Sequence, residues 1–322
     1  MVEVEKLRFS KVLVTGGAGF IGSHLVDRLL SEGLEVWVYD NFSSGRMENI
    51  AHHKDSSAFH LVKGDIRDSA AVNKVVKNVD AVFHEAALVD VALSVKNPIL
   101  FDDVNVDGTL NLLQASLDHG VKRFIFASSA AVYGNTQPAK KKENMRLKPI
   151  SPYGVSKLAS ENYIQVFNEL YGLETVCLRY FNVYGTRQAF TSSYSGVITS
   201  FVNRLLQKQP PIIHGDGKQT RDFVHVGDVV SANLLALTCE SAVGEIYNIA
   251  SGVTTSIFGL AKLLLQIMNA VDLTPTFAET RQGDIKHTSA DIRKAEERLG
   301  FSPKISLRAG LSTLVNWHLR KH

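Results

Sequence analysis

The sequence predicts an α/β fold, a doubly wound parallel sheet followed by a smaller α/β lobe at the C-terminal end, and two observations predict it. Apolar strand-like runs alternate with helical periods from residue 11 to about 180, and the first run feeds a glycine-rich turn at Gly16, Gly19 and Gly22. Past residue 182 the alternation loosens into loops rich in Ser, Thr, Gly and Tyr, which marks the lobe. We place the sheet domain at 1–181, with a return segment at 222–250, and the lobe at 182–221 and 251–322.

Residues 12–22 read V-L-V-T-G-G-A-G-F-I-G, a strand, a tight turn and a helix start. The first glycine permits the sharp turn, the second lets backbone approach a pyrophosphate with no Cβ in the way, and the third lets the helix lie close to the strand. Phosphate then meets the helix N-terminus, where unpaired N–H groups and the dipole favour negative charge. Residues 20–30 put Ile21, Leu25, Val26 and Leu29 on one face, and 35–39 read as a second buried strand ending at Asp40. This is a βαβ unit of the Rossmann type. Asp40 can accept hydrogen bonds from adenosine ribose hydroxyls and would repel a 2′-phosphate, so NAD is expected rather than NADP. Arg46 reads as a solvated loop arginine.

Further strands are predicted at 58–63, 80–85, 123–128 and 174–180, and helices at 69–76, 98–120 and 152–171. Helical segments at 197–207, 226–238, 257–269 and 307–318 separate the loops that follow. Ligands of a parallel sheet sit beyond the carboxyl ends of its strands. Those ends read Gly64-Asp65-Ile66, Glu85-Ala86-Ala87-Leu88, Ala127-Ser128-Ser129 and Tyr180-Phe181-Asn182.

A chain of 322 residues, 45% hydrophobic and 21% charged, can bury a large core. With 35 basic and 32 acidic residues it lacks the electrostatic footprint of a nucleic-acid binder, and the basic run at 140–142, beside Pro138, reads as a solvated loop. No apolar stretch reaches transmembrane length, and residues 1–10 carry Glu3, Glu5, Lys6 and Arg8 where a signal peptide would be apolar. A cytoplasmic protein with no nucleic-acid or membrane partner is expected. Cys177 and Cys239 read as buried thiols. No metal site is expected: His52-His53 reads as a loop pair, and His84-Glu85 lacks the second histidine of a zinc-binding helix.

The chemistry is read at S-P-Y-G-V-S-K, residues 151–157. Tyr153 and Lys157 are four apart and project from one helical face. A free phenol, with a pKa of about 10, is a poor base at neutral pH. A neighbouring ammonium and an oxidised nicotinamide, both cationic, would favour the phenolate. Ser129, at a strand end, is the third candidate and would hydrogen-bond the substrate oxygen.

These pieces carry a resemblance. T-G-G-A-G-F-I-G-S-H from Thr15, D-N-F-S-S-G from Asp40, G-D-I-R from Gly64, N-V-D-G-T from Asn105, S-S-A-A-V-Y-G from Ser128, S-P-Y-G-V-S-K from Ser151, L-R-Y-F-N-V-Y-G from Leu178, R-D-F-V-H-V-G-D from Arg221 and R-Q-G-D from Arg281 follow one another across nearly the whole chain. Together they resemble the extended short-chain dehydrogenases/reductases, specifically the NAD-dependent sugar epimerase/dehydratase family, and most of all its UDP-glucose 4-epimerases. The resemblance implies Gly16, Gly19 and Gly22 with Phe20 and Ile21 at the pyrophosphate, and Asp40, Asn41, Ser43, Ser44 and Gly45 on the adenosine ribose side. It implies Asp65 and Ile66 at the adenine, and Ala86, Ala87, Leu88 and Ser128 along the dinucleotide groove, with Asn105 supporting it. Ser129, Tyr153 and Lys157 match the catalytic set, Lys157 also binding the nicotinamide ribose, and Phe181 matches a residue beside the nicotinamide. Asn182, Arg221, Arg281 and Asp284 match positions that hold the diphosphate and uridine of a UDP-sugar, and Thr288 falls where the sugar 2-substituent is faced.

The implied reaction is inversion at sugar C4 through a 4-ketose, with no net redox change and NAD retained. Related 4,6-dehydratases and decarboxylases place an acidic residue just after the catalytic Ser/Thr, where this chain has Ala130 and Ala131. The remaining alternatives are a UDP-N-acetylglucosamine or UDP-glucuronate 4-epimerase and, remotely, a non-catalytic NAD-binding regulator; regulators commonly lose the Tyr or the Lys, and both are present. Family members usually dimerise through two helices per subunit, here 98–120 and 152–171. Leu112, Leu113, Ile164 and Phe167 on those helices also suit packing against their own sheet.

Overall fold

The computed structural model describes residues 8–188, 196–280 and 286–320, so Arg281, Asp284 and the loop at 189–195 lie outside it. Seven parallel strands form the central sheet: β1 (Lys11–Thr15), β2 (Glu35–Asp40), β3 (Phe59–Lys63), β4 (Ala81–His84), β5 (Arg123–Ser129), β6 (Glu174–Tyr180) and β7 (Glu245–Ile249). Their order is β7-β6-β5-β4-β1-β2-β3. The order reverses between β1 and β4, which opens the crevice where such sheets bind ligands.

The sheet is apolar on both faces because helices cover both. On one face α1 (Phe20–Ser31) and α5 (Val226–Thr238) pack Leu25, Val26, Leu29, Val229 and Ala232 against Val12, Val14, Val36 and Ile249. On the other, α2 (Ser69–Val76), α3 (Gly108–Asp118) and α4 (Pro152–Tyr171) bring Val72, Val76, Leu112, Leu113, Ile164 and Phe167 onto Leu13, Val82, Phe124 and Phe126. Each side chain buried fully in this way contributes about 1.5–3 kcal/mol. The buried Arg123 ties the return segment to the sheet: it pairs with Glu174 at 2.8 Å and donates to the carbonyls of Leu237 and Cys239, at the C-terminal end of α5, at 2.7 and 3.1 Å. A cation there also complements the helix dipole.

The helix expected over 98–120 is instead Pro98–Asp102, a π-helical turn Asp103–Asp107 and then α3. Such turns are frequent at functional sites, and this one carries Asn105. Lys140 and Lys141 are not a solvated loop. They form a short strand parallel to Ser289–Ala290, and the Lys141 side chain is buried, its Nζ donating to the carbonyls of Thr136 and Pro138. The signal was hidden because the partner strand is far away in sequence.

In the lobe, Val197–Leu206, Ile257–Ile267 and Leu307–Leu319 surround a separate core of Phe201, Ile213, Leu260, Leu264, Leu311 and Leu314. Val183–Tyr184 pairs with Val224–His225 of the return segment, and Thr220–Asp222 pairs with Thr254–Ser256. Among the described residues no helix is long and apolar enough to cross a membrane. Both cysteines are free thiols, Cys177 buried and Cys239 half-buried.

Candidate active site

A groove of about 470 Å³ runs across the carboxyl ends of β1, β2 and β4. Gly16, at the end of β1, takes φ +68°, and a Cβ there would stand 2.8 Å from the Ala86 backbone. At Gly22 a Cβ would fall 2.2 Å from the Gly16 carbonyl, so helix and turn could not close. Gly19 caps α1 without any side-chain hydrogen bond to the first-turn amides, leaving those N–H groups and the dipole for an anion.

Gly16, Gly19, Phe20, Ile21, Gly22, Asp40, Asn41, Ser43, Ser44, Ile66, Ala86, Ala87 and Leu88 all line this groove, and so does Arg46. Asp40 is held by the amides of Ala18 at 3.0 Å and Phe42 at 2.7 Å; burial raises its carboxyl, and these two bonds oppose the rise. Gly45 packs directly on that carboxylate. The Asp65 carboxylate is spent on Arg67 and on the Asn41 amide, 2.9 Å away, and Arg67 holds it well below the usual carboxylate range. Asn105 supports the groove from behind: its Oδ1 accepts from the Leu88 amide at 2.9 Å, and its Nδ2 donates to the Leu88 carbonyl and to Ser156, both at 3.0 Å.

Ser128 behaves otherwise than expected. Its hydroxyl donates to Glu161 in the core, where Glu161 is paired with the buried Arg179 at 2.7 Å. Successive strand residues point to opposite faces, so the neighbouring Ser129 turns the other way, toward Tyr153. Phe181 is also buried, in a small cluster with Val132, Tyr133, Ala250 and Ile292.

The catalytic candidates converge. The α4 N-terminus is set by the Ser151 hydroxyl, which accepts from the Gly154 amide at 3.1 Å, with Pro152 at the first helical position. This places Tyr153 beside Ser129, whose hydroxyl acts on the phenol. Lys157, one turn on, is buried, donates to the Ala127 carbonyl at 2.8 Å and stands 4.7 Å from the centre of the Phe126 ring. The protein alone does not lower the phenol. Burial raises Tyr153, opposed by the Ser129 hydroxyl. The lysine ammonium is turned toward a backbone carbonyl, and burial brings it down to about 8 against the pull of Glu85 and Glu161.

Glu85 is among the groove residues without a role assigned from sequence. Glu85 lines the groove, its Oε1 accepts from Tyr180 Oη at 2.8 Å, and Asn233 Nδ2 donates to the same phenol oxygen at 2.7 Å. Burial pushes the Glu85 carboxyl up to about 7, against Tyr180 and Lys157. The only signal was a carboxylate at a strand end inside the apolar run H-E-A-A-L. His84 beside it is a core residue, bonded to Thr15 and Thr109 at 2.8 and 2.9 Å.

On the lobe side, the Asn182 amide donates to the Asp222 carbonyl at 3.0 Å, Arg221 lies beside it in Thr220–Asp222, and the Thr288 amide donates to the Thr220 carbonyl at 3.2 Å. Buried Asp222 joins these segments by accepting from the Ser251 hydroxyl at 2.7 Å and the Ala290 amide at 3.3 Å. A larger hollow of about 560 Å³, lined by Lys142, Glu143, Gln165 and Arg293, shares no lining residue with the groove.

The model of the NAD dependent epimerase/dehydratase family matches residues 12–250. The chain belongs to that family. This epimerase/dehydratase is 42% identical over 308 residues to a putative UDP-glucose 4-epimerase of Methanocaldococcus jannaschii, covering 95% of this chain and 97% of the other. It superposes on a UDP-glucose 4-epimerase of Thermotoga maritima solved with UDP-glucose, at a TM-score of 0.91 and 40% identity over 97% of this chain and 99% of that one. A UDP-N-acetylglucosamine 4-epimerase of Methanobrevibacter ruminantium, in complex with UDP-N-acetylmuramic acid, gives a TM-score of 0.93 at 37% identity over 98% and 99% of the two chains. The cofactor of the epimerase/dehydratase is NAD, and the groove suits it: an uncapped helix end for the diphosphate and a buried carboxylate at the ribose end.

Proposed function

We propose that this enzyme interconverts the C4 epimers of a UDP-hexose, UDP-glucose and UDP-galactose, through a 4-keto intermediate. The observation that carries the reading is the placement of Tyr153, at the start of α4, beside Ser129, at the end of β5, with Lys157 one turn below and with Ala130 and Ala131, not a carboxyl group, following Ser129. That set can remove and return a proton at a carbinol and has no acid beside it to drive elimination. Tyr153 takes the 4-hydroxyl proton, Ser129 hydrogen-bonds the same oxygen as it becomes a carbonyl, and the buried Lys157 supplies positive charge beneath the phenolate. When bound, NAD accepts and returns the C4 hydride. Asn182, Arg221, Arg281 and Asp284 are read as the grip on the UDP moiety; guanidinium groups suit a diphosphate because they engage its oxygens bidentately. Holding the substrate remotely leaves the sugar free to turn before the hydride comes back.

Thr288 favours a second reading, activity on the N-acetylated pair, because a small side chain at that place raises no wall against an acetamide. We also read the enzyme as a homodimer. Leu112, Leu113, Ile164 and Phe167 face their own sheet, while Val155, Tyr163, Val166 and Leu170 of α4 are exposed and fall within an arc of about 80° at 100° per residue. The test is a coupled assay across UDP-glucose, UDP-N-acetylglucosamine and UDP-glucuronate. Turnover of UDP-glucose at least equal to the others supports the proposal; turnover of UDP-glucuronate alone overturns it.

A further inference from the structure

Arg187 follows the short strand Val183–Tyr184 and takes φ +65°, a conformation that a side chain other than glycine keeps only where its surroundings enforce it. It lines the dinucleotide groove, and its side chain is only 18% exposed. One end of the guanidinium is accounted for: NH2 pairs with Asp27 Oδ2 at 2.7 Å. The other is not. NH1 is buried and has no hydrogen-bond partner among the described residues. An unpaired buried donor is costly, more so when charged, and in a native structure it calls for an explanation.

The surroundings of Arg187 are built to hold it in place. Asp27 Oδ1 accepts from His52 Nε2 at 2.9 Å and from His53 Nε2 at 2.7 Å, so the two imidazoles, on the short helical turn Ala51–His53, fix the carboxylate that fixes the arginine. Burial raises Asp27, but the bonds from His53, Arg187 and His52 and the charge of Arg187 outweigh it and keep the carboxyl below its ordinary range. The ligating atoms of Asp27, His52 and His53 lie within 4.8 Å of one another, a spacing that could suit a metal. Both oxygens of Asp27 are nevertheless committed, one to two imidazole N–H groups and the other to the guanidinium, which makes the cluster a bracket for Arg187.

Asp27 lies on α1, the helix whose N-terminus opens on the groove. The segment bearing Arg187 packs on the same helix: His24 Nε2 bonds to the Thr186 carbonyl at 3.0 Å, and a Cβ on Gly185 would touch the Phe20 ring at 3.6 Å. A full positive charge is thus bracketed beside the helix whose end attracts anions.

We infer that Arg187 is a cofactor-binding residue, its NH1 reserved for the diphosphate of the dinucleotide, and that Asp27, His52 and His53 are its positioning residues. A guanidinium is a donor only, and the diphosphate is the part of the cofactor that offers anionic acceptors.

The test strips the enzyme of NAD and measures binding of NAD, ADP and, by competition, adenosine to wild type, Arg187→Met, Arg187→Lys and Asp27→Asn. Arg187→Met should weaken NAD and ADP by a similar factor, on the order of tenfold or more, and leave adenosine within twofold. Arg187→Lys should recover part of the loss. Wild-type affinity for ADP in Arg187→Met, or an equal loss of adenosine, overturns the inference, the second because it would mean that the groove as a whole had been disturbed. Melting of the stripped protein separates misfolding from lost binding. If Arg187→Met does not fold, Asp27→Asn decides: a few-fold loss confined to NAD and ADP supports the bracket, and unchanged ADP binding refutes it.

Discussion

Tyr153→Phe removes one oxygen atom from a buried ring and leaves the packing of α4 on the sheet in place. Two losses follow, and they differ enough in size to be separated. The hydroxyl is the proposed proton acceptor, and positioned acid–base groups contribute about 10²–10⁴ in rate. At about 1.36 kcal/mol per decade that is roughly 3–5 kcal/mol of transition-state stabilisation. In the ground state the variant gives up only the interaction of the phenol with the Ser129 hydroxyl, a small loss beside the catalytic one. Ser129 Oγ keeps the Ala131 amide as a donor at 3.2 Å and is not stranded. The melting temperature should therefore move by no more than a few degrees, at about 2–4 °C per kcal/mol. The assay follows conversion of UDP-galactose to UDP-glucose at saturation, with the NAD content of each preparation quantified. A fall of at least about 10² in turnover with NAD retained is expected. Activity within a few-fold of wild type, NAD still bound, would refute the role given to Tyr153.

Denaturing the purified protein should release NAD, because a cycle without net redox change has no need to exchange it; release of NADP would overturn the argument from Asp40. Glu85 titrates at about 7 in the fold and at about 4.3 when unfolded. The folded chain therefore holds the extra proton between those values, and stability should fall as pH rises through that window. Glu85→Gln should flatten this slope and raise the melting temperature above pH about 7; an unchanged slope would exclude Glu85 as its source. Thr288→Tyr, at a buried position, should depress turnover of the N-acetylated pair selectively, since overpacking costs about 1–3 kcal/mol. An unaltered ratio of UDP-N-acetylglucosamine to UDP-glucose turnover would show that Thr288 is not the gate.

What the sequence determined by itself was whatever is encoded over a few residues. The Gly16, Gly19, Gly22 turn needs only three spacings, and the Tyr153–Lys157 face only one helical turn. The layers followed from apolar periodicity, and the boundaries of α2, α4 and β6 coincide with those read from it. Tertiary structure decided whatever depends on a distant partner. Ser128 and Ser129 are equivalent in sequence; the strand's alternation against Glu161 sends one into the core and leaves the other for the site. Lys141 reads as a surface lysine until the strand at Ser289–Ala290 covers it. Glu85 meets Tyr180, and Asp27 meets His52, His53 and Arg187, only after the sheet has brought separate βα units together. Periodicity reports which face of an element is buried; it carries no information about which buried polar group will stand opposite another, because that pairing is fixed by strand order and crossover geometry.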